Sequence, residues 1–294
     1  MFSFYLYFCR RFINFVLRVI RTSKVLIDKT FIMAKAGTKT KTKTKKKRGF
    51  WKTLGLIILV LFLLSIFFPF IFRWINPPIT PLMVIRKVQY GYPIEKEWKP
   101  IEEISPNMYK AAIASEDCYF LGHNGFDLIA LDIVMQERKN GVRKRGGSTI
   151  SQQTAKNVFC WPKSSWIRKG LETYYTFLIE AFWSKERIME VYLNVIEMGP
   201  GIYGAEAAAQ HYFNKSAANL TPRQAALITA CYPAPLHRDP AHPSGYLSRQ
   251  AGIIQGRMAR YGNPKFTDEY IAGCQQRYQK AVDKMKKRRK ARKK

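Results

Sequence analysis

Residues 114–127, ASEDCYFLGHNGFD, place acids and a histidine among aromatic rings within one short segment. The ionisable members are Glu116, Asp117, His123 and Asp127. A helix cap needs only one carboxylate, and a solvated helix face would not alternate acids with phenylalanines. The segment is therefore a candidate for proton-transfer chemistry, with packing as the alternative.

A second segment, RKRGGSTISQQTAKN at residues 143–157, could bind an anion. Its two adjacent glycines let backbone amides approach a ligand closely, and polar side chains follow within two helical turns. A glycine pair with Ser and Thr is also a common helix start, so this segment alone indicates phosphate binding only weakly. Further Lys and Arg residues follow this segment in the sequence, and one glutamate comes after them. The residues of interest are Ser148, Thr149, Gln152, Gln153, Lys156, Asn157, Lys163, Arg168, Lys169 and Glu172.

A helix must position the first segment. Ser105 is a natural cap and Pro106 suits the first helical position, so SPNMYKAAIASEDC predicts a helix that begins there. Glu116 and Asp117 would then leave the end of that helix and face whatever cleft it borders.

The remaining pattern predicts a mainly α domain at residues 80–265. Strand signals are weak, and MVIRKVQY within the proline-rich residues 75–104 is interpreted as an extended piece of a linker. Amphipathic periodicity predicts helices at 165–183 and 184–199, then in YGAEAAAQHYF and LTPRQAALITACY. Residues 266–294 are expected to form a basic helical tail.

The formal charge of +30 is concentrated at the two ends of the chain. Residues 1–52 hold fifteen Lys and Arg against one Asp, and residues 280–294 hold ten against one. The modest charge between them argues against a nucleic-acid-binding protein, since anionic membrane surfaces explain both basic ends. Five cysteines show no CxxC pair and no metal-ligand spacing, although one disulfide is possible.

Residues 53–74 are predicted to be a single transmembrane anchor. Residues 53–72 carry no charge, and Trp51 and Trp74 lie where interfacial aromatic residues belong. The preceding basic residues 1–52 are expected to be a disordered cytoplasmic arm, which places the domain on the extracytoplasmic side of the membrane. Translation from Met33 is an open alternative for the start of the chain.

Four segments, in this order and spacing, resemble the signature motifs of the peptidoglycan glycosyltransferases of family 51. They are EDCYFLGHNGFD, GGSTISQQTAKN, RKGLETYYTFLIE and KERIMEVYLNVIEMGPGIYGAEAAAQHYF, and LTPRQAALITACYPAP resembles a fifth motif. The resemblance covers roughly residues 85–262. With one anchor and no second domain, the chain resembles the monofunctional biosynthetic transglycosylases of this family.

The resemblance implies a lysozyme-like helical fold and a defined reaction. The 4-hydroxyl of lipid II attacks the anomeric carbon of a lipid-linked glycan, forming a β-1,4 link with inversion and releasing undecaprenyl pyrophosphate. Glu116 would be the general base, and Glu172 the second catalytic glutamate, holding the cations or a metal. The implied substrate contacts come from Asp117, Phe120, Ser148, Thr149, Gln153, Lys156, Asn157, Lys163, Arg168 and Lys169. His123 and Asp127 match motif positions but are expected to be structural, as is Glu197.

The family commonly uses a divalent cation, so Mg or Mn is implied, with Glu172 as a possible ligand and no organic cofactor. Implied partners are lipid II, the growing glycan and membrane lipids, together with penicillin-binding proteins and cell-division or elongation proteins. LIALDIVMQERK is expected to be a flap that dips into the membrane. One departure is Ser164, where the family often carries an arginine; Lys163 could substitute as a point charge.

Two further enzyme classes share part of this pattern. A hydrolytic muramidase on the same scaffold would also need a glutamate at a helix end, but would have little use for the row of cations. A transpeptidase is not expected, since no serine is followed by lysine three positions later.

Overall fold

The computed structural model describes residues 43–141 and 146–291, with side chains from Phe50 onward. Residues 1–42 of the basic arm, Met33 as the start of the chain and residues 143–145 fall outside the described residues, whereas residues 43–52 of the arm are described and are helical. The described helices are α1 (Lys43–Ile71), α2 (Pro81–Tyr90), α3 (Pro106–Glu116), α4 (Leu128–Lys139), α5 (Ile150–Phe159), α6 (Trp166–Phe182), α7 (Lys185–Val195), α8 (Ala205–Phe213), α9 (Pro222–Cys231), α10 (Gly245–Tyr261) and α11 (Asp268–Ala291). Short 3₁₀ turns lie at Ile101–Glu103 and Ala217–Asn219. The prediction of a mainly α fold is confirmed.

The chain divides into two units, one ending at Phe68 and one beginning at Pro69. The first contains most of α1, in which residues Phe50–Ile71 are long and apolar enough to cross a membrane. Only 6% of that span is buried within the structure, and its mean hydropathy is 3.0. Both values fit a membrane anchor better than the core helix of a soluble protein.

The second unit begins with a tightly held segment. The Trp183 indole donates a hydrogen bond to the Pro69 carbonyl at 2.6 Å. The Arg187 guanidinium donates to the carbonyls of Phe72 and Ile75, at 2.9 and 3.1 Å from Nη2. Since these carbonyls lie in the last turn of α1 or just beyond it and lack helical partners, the two side chains satisfy them.

Helix α2 corrects the prediction of an extended linker at MVIRKVQY. The Thr80 hydroxyl accepts a hydrogen bond from the Met83 amide, and Pro81 occupies the first turn. The helix ends at Gly91, whose φ of 70° is left-handed and whose N–H donates to the Lys87 carbonyl. Of the prolines that suggested a linker, Pro81 lies in the first turn of this helix, where no N–H is needed, and the others lie outside the helix.

A small sheet corrects a second prediction, that one helix spans 184–199. Helix α7 ends at Val195, and β2 (Glu197–Gly199) and β3 (Ile202–Tyr203) follow around a turn at Pro200 and Gly201. Strand β3 lies between β2, which it meets antiparallel, and β1 (Glu95–Lys96), which it meets parallel. Gly-Pro-Gly cannot continue a helix, so the chain reverses and pairs.

The helices bury one hydrophobic core. Helix α3 packs against α9 and α10, while α5 packs against α6 and α7. The largest buried side chains include Tyr192, Tyr203, Phe120, Met108 and Ile150, each almost inaccessible to solvent. The four described cysteines, Cys118, Cys160, Cys231 and Cys274, carry free thiols. This core fixes the end of α3 and the start of α5 relative to each other.

The C-terminal helix α11 is attached to the segment that follows Glu116. Tyr278 is buried, and its hydroxyl donates to Asp127 Oδ1 at 3.2 Å and accepts from the Leu128 amide at 2.7 Å. A Cβ placed on Gly122 would lie 2.7 Å from the Cβ of Tyr278. The backbone at Gly122 therefore approaches α11 more closely than any side-chain-bearing residue would permit.

Candidate active site

Glu116 is the last residue of α3 and lies partly exposed at its C-terminal end. Ser105 caps the start of this helix, and Pro106 occupies its first turn, as the sequence predicted. The Glu116 carboxylate accepts a hydrogen bond from Gln153 Nε2 at 2.8 Å and one from the Ser115 hydroxyl at 3.2 Å. A partly exposed carboxylate with fixed partners is oriented and still reachable by a substrate.

Gln153 is itself oriented by a buried tyrosine. The Tyr192 hydroxyl donates to Gln153 Oε1 at 3.2 Å, so the amide must present its NH₂ group to Glu116. Complete burial raises the pKa of Tyr192 well above its ordinary value, which keeps the hydroxyl protonated and able to donate. Sequence reasoning missed this contact, because only the packing of α7 against α5 creates it.

Asp117 and Phe120 lie in the interior. Asp117 is 5% exposed and accepts hydrogen bonds from the His123 ring, at 2.9 Å to Oδ1, and from the Ile150 amide, at 3.0 Å to Oδ2. Phe120 is fully buried, with the Lys185 ammonium 4.8 Å from its ring centroid. Both side chains contact protein on every side and support the loop after Glu116. Their predicted substrate contacts stay a prediction.

His123 and Asp127 form hydrogen bonds within the fold, which agrees with the expectation that they are structural. The His123 ring pairs with Asp117, and its carbonyl accepts from Lys185 at 2.6 Å. Asp127 caps α4 by accepting from the amides of Ile129 and Ala130, at 2.9 and 3.2 Å. These contacts fix the path of the chain between α3 and α4.

The start of α5 is a capping box. Thr149 accepts from the Gln152 amide, the Gln152 side chain accepts from the Thr149 amide, and the Thr149 hydroxyl donates to the Gly125 carbonyl at 2.7 Å. The predicted ligand contact of Thr149 therefore competes with its structural role. Ser148 lies nearer the surface, with its hydroxyl 3.4 Å from the Lys169 ammonium. Asn157 is buried and donates to the Gln153 carbonyl at 2.8 Å.

Cations from α5 and α6 surround one buried acid. Glu172 is 3% exposed and accepts from Arg168 Nη1 at 2.8 Å and from the Lys169 ammonium. Lys156 forms no hydrogen bond or ion pair with the residues that the structure describes. Burial lowers the pKa of Lys156, an effect that Glu172 opposes. The cluster of Lys156, Arg168 and Lys169 thus carries more positive charge than Glu172 neutralises.

Lys163 lies in the exposed connection between α5 and α6. The neighbouring Ser164 is exposed as well. Among the described residues, no side chain forms a hydrogen bond or ion pair with Lys163 that would hold it where the family often carries an arginine.

Glu197 forms a nearly buried ion pair that the sequence did not predict. Arg86 of α2 approaches it with Nε 3.0 Å from Oε1 and donates from Nη2 to Oε2 at 3.2 Å. Burial raises the pKa of Glu197, and Arg86 opposes that rise. The expectation that Glu197 is structural agrees with this placement. Arg86 was missed because its helix was interpreted as an extended linker.

The donor set does not fit a metal held by the protein alone. Within residues 50–141 and 146–291, no group of three His, Cys, Asp or Glu side chains could hold a metal ion. Glu172, the possible ligand, already has two cationic partners. The implied Mg or Mn stays a prediction.

Comparison with known proteins decides the family. A family model described as Transglycosylase matches residues 83–259, well over half of the chain. The chain belongs to the transglycosylase family. A biosynthetic peptidoglycan transglycosylase of Bdellovibrio bacteriovorus is 51% identical over 207 residues, covering 69% of this chain and 83% of the relative. The protein of the same description from Bacteroides thetaiotaomicron is 55% identical over 191 residues, covering 63% and 77%. One from Caulobacter vibrioides is 50% identical over 213 residues, covering 70% and 93%.

These relatives confirm the prediction of a peptidoglycan glycosyltransferase. The transglycosylase domain contains every described element from α2 to nearly the end of α10, and with them Glu116, Gln153 and the cationic cluster. Helix α11 lies beyond the matched residues.

Proposed function

We propose that this transglycosylase polymerises glycan strands, transferring a lipid-linked glycan onto the 4-hydroxyl of lipid II. The observation that carries the proposal is the arrangement of α5, which holds Gln153 against Glu116 and carries Lys156 three residues later. Residues three apart are neighbours on a helix face, with Cβ atoms roughly 5–6 Å apart. The carboxylate and the cationic cluster therefore serve one substrate.

Glu116 is the proposed general base. Its carboxylate is partly exposed, and the amide of Gln153 fixes its orientation. As the acceptor hydroxyl attacks the anomeric carbon, its proton passes to Glu116. Direct displacement inverts the configuration, so an α-linked donor gives a β-1,4 link without a covalent enzyme intermediate.

The cationic cluster is the proposed site for the departing undecaprenyl pyrophosphate. Lys156 has no partner among the described residues, so its ammonium can donate to a phosphate oxygen. Arg168 and Lys169 are held in place by Glu172. In a partly buried site such cations stabilise the charge that develops on the leaving group more strongly than they would in water. In this role Glu172 is a positioning residue.

The membrane topology and the protein partners extend this proposal. The apolar helix α1 supports membrane anchoring, and the basic residues before it favour an N-terminus in the cytoplasm. The domain would then lie on the extracytoplasmic face of the inner membrane, where lipid II is consumed. Association with penicillin-binding proteins and with division or elongation proteins stays a prediction.

The test is polymerisation of purified lipid II by the detergent-solubilised protein, with Glu116→Gln as the variant. The amide keeps the size of the side chain and one of its two acceptor oxygens but cannot take the proton. We expect wild type to form long strands and the variant to be slower by about 10²- to 10⁴-fold. Intact lipid II together with cleavage of finished peptidoglycan by wild type would support a muramidase instead and remove the pyrophosphate assignment.

A further inference from the structure

A groove of about 650 Å³ separates α4 from the C-terminal part of α11, outside the proposed active site. We call it the α4–α11 groove. One part of its lining is apolar, formed by Ile129, Ile133, Met135 and Met285. Ile133 and Met135 are each 47% exposed. Apolar side chains so exposed on the wall of a concave surface indicate a ligand with an apolar part.

The other part of the lining is cationic. Lys139 extends from the end of α4, and Lys284, Arg288 and Arg289 extend from α11. Among the described lining residues the one acid is Asp132, which lies 3.6 Å from Arg289 and accepts from Gln136 at 2.5 Å.

Three of these cations are available to a ligand. The side chains of Lys139, Lys284 and Arg288 form no hydrogen bond or ion pair with other described residues. All three are exposed. Because Asp132 pairs with Arg289, the described lining of the groove holds no counterion for Lys139, Lys284 and Arg288. The groove is therefore complementary to an anion.

We propose that the α4–α11 groove binds an anionic phospholipid of the membrane. The phosphate would lie against the three unpaired cations, and an acyl chain would lie along the apolar wall. A soluble polyanion would use the cations but would leave Ile133 and Met135 exposed, so the mixed lining favours a lipid. Leu128 and Leu131, 46% and 39% exposed on the same helix, extend the apolar surface beyond the groove.

This proposal does not depend on the polymerase reaction. The protein also carries an apolar helix suited to a membrane, so anionic lipids are near the domain wherever the anchor is inserted. Binding at the groove would add a second, charge-dependent contact between the domain and the bilayer.

The test uses the full chain in nanodiscs that contain a trace of photoactivatable phosphatidylglycerol or, in parallel, photoactivatable phosphatidylcholine. Cross-linked peptides are identified by mass spectrometry. The groove variant is Lys139→Gln with Lys284→Gln and Arg288→Gln. Its control is Arg138→Gln with Lys280→Gln and Lys287→Gln, which removes the same charges from the same two helices without touching the groove. Arg289 is kept in both, so the contact with Asp132 is undisturbed.

We expect phosphatidylglycerol to label α4 and α11 in wild type and in the control. Labelling of these helices should fall about tenfold or more in the groove variant, since each cation near an anionic surface contributes substantially to binding. Phosphatidylcholine should label the groove weakly in all three proteins. Equal labelling by the two lipids, or an equal loss in the two triple variants, would overturn the proposal.

A second pair of variants tests the apolar wall. Met135→Ser changes the wall, and Ile253→Ser changes a comparably exposed position on α10, 48% against 47%. Phosphatidylglycerol labelling should decrease several-fold in the first and persist in the second. If Met135→Ser had no effect, or if the groove bound soluble polyphosphate but was not labelled by the lipid, the ligand would be a soluble polyanion and the lipid proposal would be wrong.

Discussion

At the scale of single residues, the proposed base depends on a relay of hydrogen bonds that begins in the core. Tyr192 orients Gln153, and Gln153 orients Glu116. The two bonds differ in kind, because the first joins neutral groups and the second ends on a carboxylate. Hydrogen bonds to charged groups are about twice as strong as neutral ones. Removing the bond between Gln153 and Glu116 should therefore reduce activity more than removing the bond between Tyr192 and Gln153.

We expect Gln153→Ala to lower kcat about ten- to hundredfold, the effect of losing a hydrogen bond to a charged group. Tyr192→Phe should cost less, roughly tenfold or under, because it removes a neutral bond. Turnover of lipid II measures both. Gln210→Ala, which removes an amide that binds Glu206 away from the site, is the control. A larger effect from Tyr192→Phe than from Gln153→Ala would contradict the order of the relay.

Lys156 leads to a prediction about alkaline pH. Burial lowers its pKa below the ordinary lysine value, so the ammonium loses its proton at a lower pH than an exposed lysine would. Because the charged form is proposed to bind pyrophosphate, kcat/KM should fall as pH rises through this lowered pKa. In Lys156→Arg the guanidinium stays charged, so the fall should move to higher pH. If kcat/KM fell at the same alkaline pH in Lys156→Arg as in wild type, Lys156 would not be the group responsible.

At the scale of elements, α2 and β2 are joined by the pair of Arg86 and Glu197. We expect Arg86→Ala to reduce the free energy of unfolding by about 3 kcal/mol at neutral pH, because an unpaired carboxylate stays nearly buried. Glu197 already has a raised pKa, and losing Arg86 would raise it further. The cost therefore develops as pH rises above the ordinary carboxyl range and is smaller in acid.

Thermal unfolding in detergent at acidic and neutral pH would measure this difference. Arg86→Met combined with Glu197→Met should recover much of the lost stability, because no buried charge remains. Equal destabilisation by Arg86→Ala at both pH values would show that packing, and not the charge of Glu197, dominates.

Local sequence signals predicted some elements well and failed at others for physical reasons. Ser105 with Pro106 marked a helix start that the structure contains, since a cap is a contact between near neighbours in sequence. Thr221 and Pro222 form the same kind of start in α9. The same signal at Thr80 and Pro81 was obscured by the surrounding prolines. The candidate base, Glu116, could be named from its segment, but its partner Tyr192 could not, because that contact depends on how distant helices pack.

At the scale of the whole molecule, the topology proposal is testable through Cys118, which is exposed beside the proposed site. A membrane-impermeant thiol reagent should label Cys118 in sealed spheroplasts if the domain is extracytoplasmic. Although the residue is exposed, partial desolvation by its surroundings and the neighbouring carboxylates Asp117 and Asp127 raise the pKa of this thiol, so mildly alkaline conditions favour the reaction.

Labelling that disappears in Cys118→Ser identifies this thiol among the others. Cys231 is buried and should not react in the folded protein. If Cys118 became accessible only after the membrane was permeabilised, the orientation would be the reverse of the one proposed.

The close approach of Gly122 to Tyr278 couples two positions that are far apart in the chain. An alanine at 122 would press on the backbone and Cβ of α11, so its effect should be relieved by a second mutation in α11 and by none in α3. Genetic suppression and sequence covariation should therefore connect the motif around Glu116 with a helix that lies outside the matched family region. In evolutionary terms, a lineage that lost α11 would be free to replace this glycine, whereas one that keeps α11 would not.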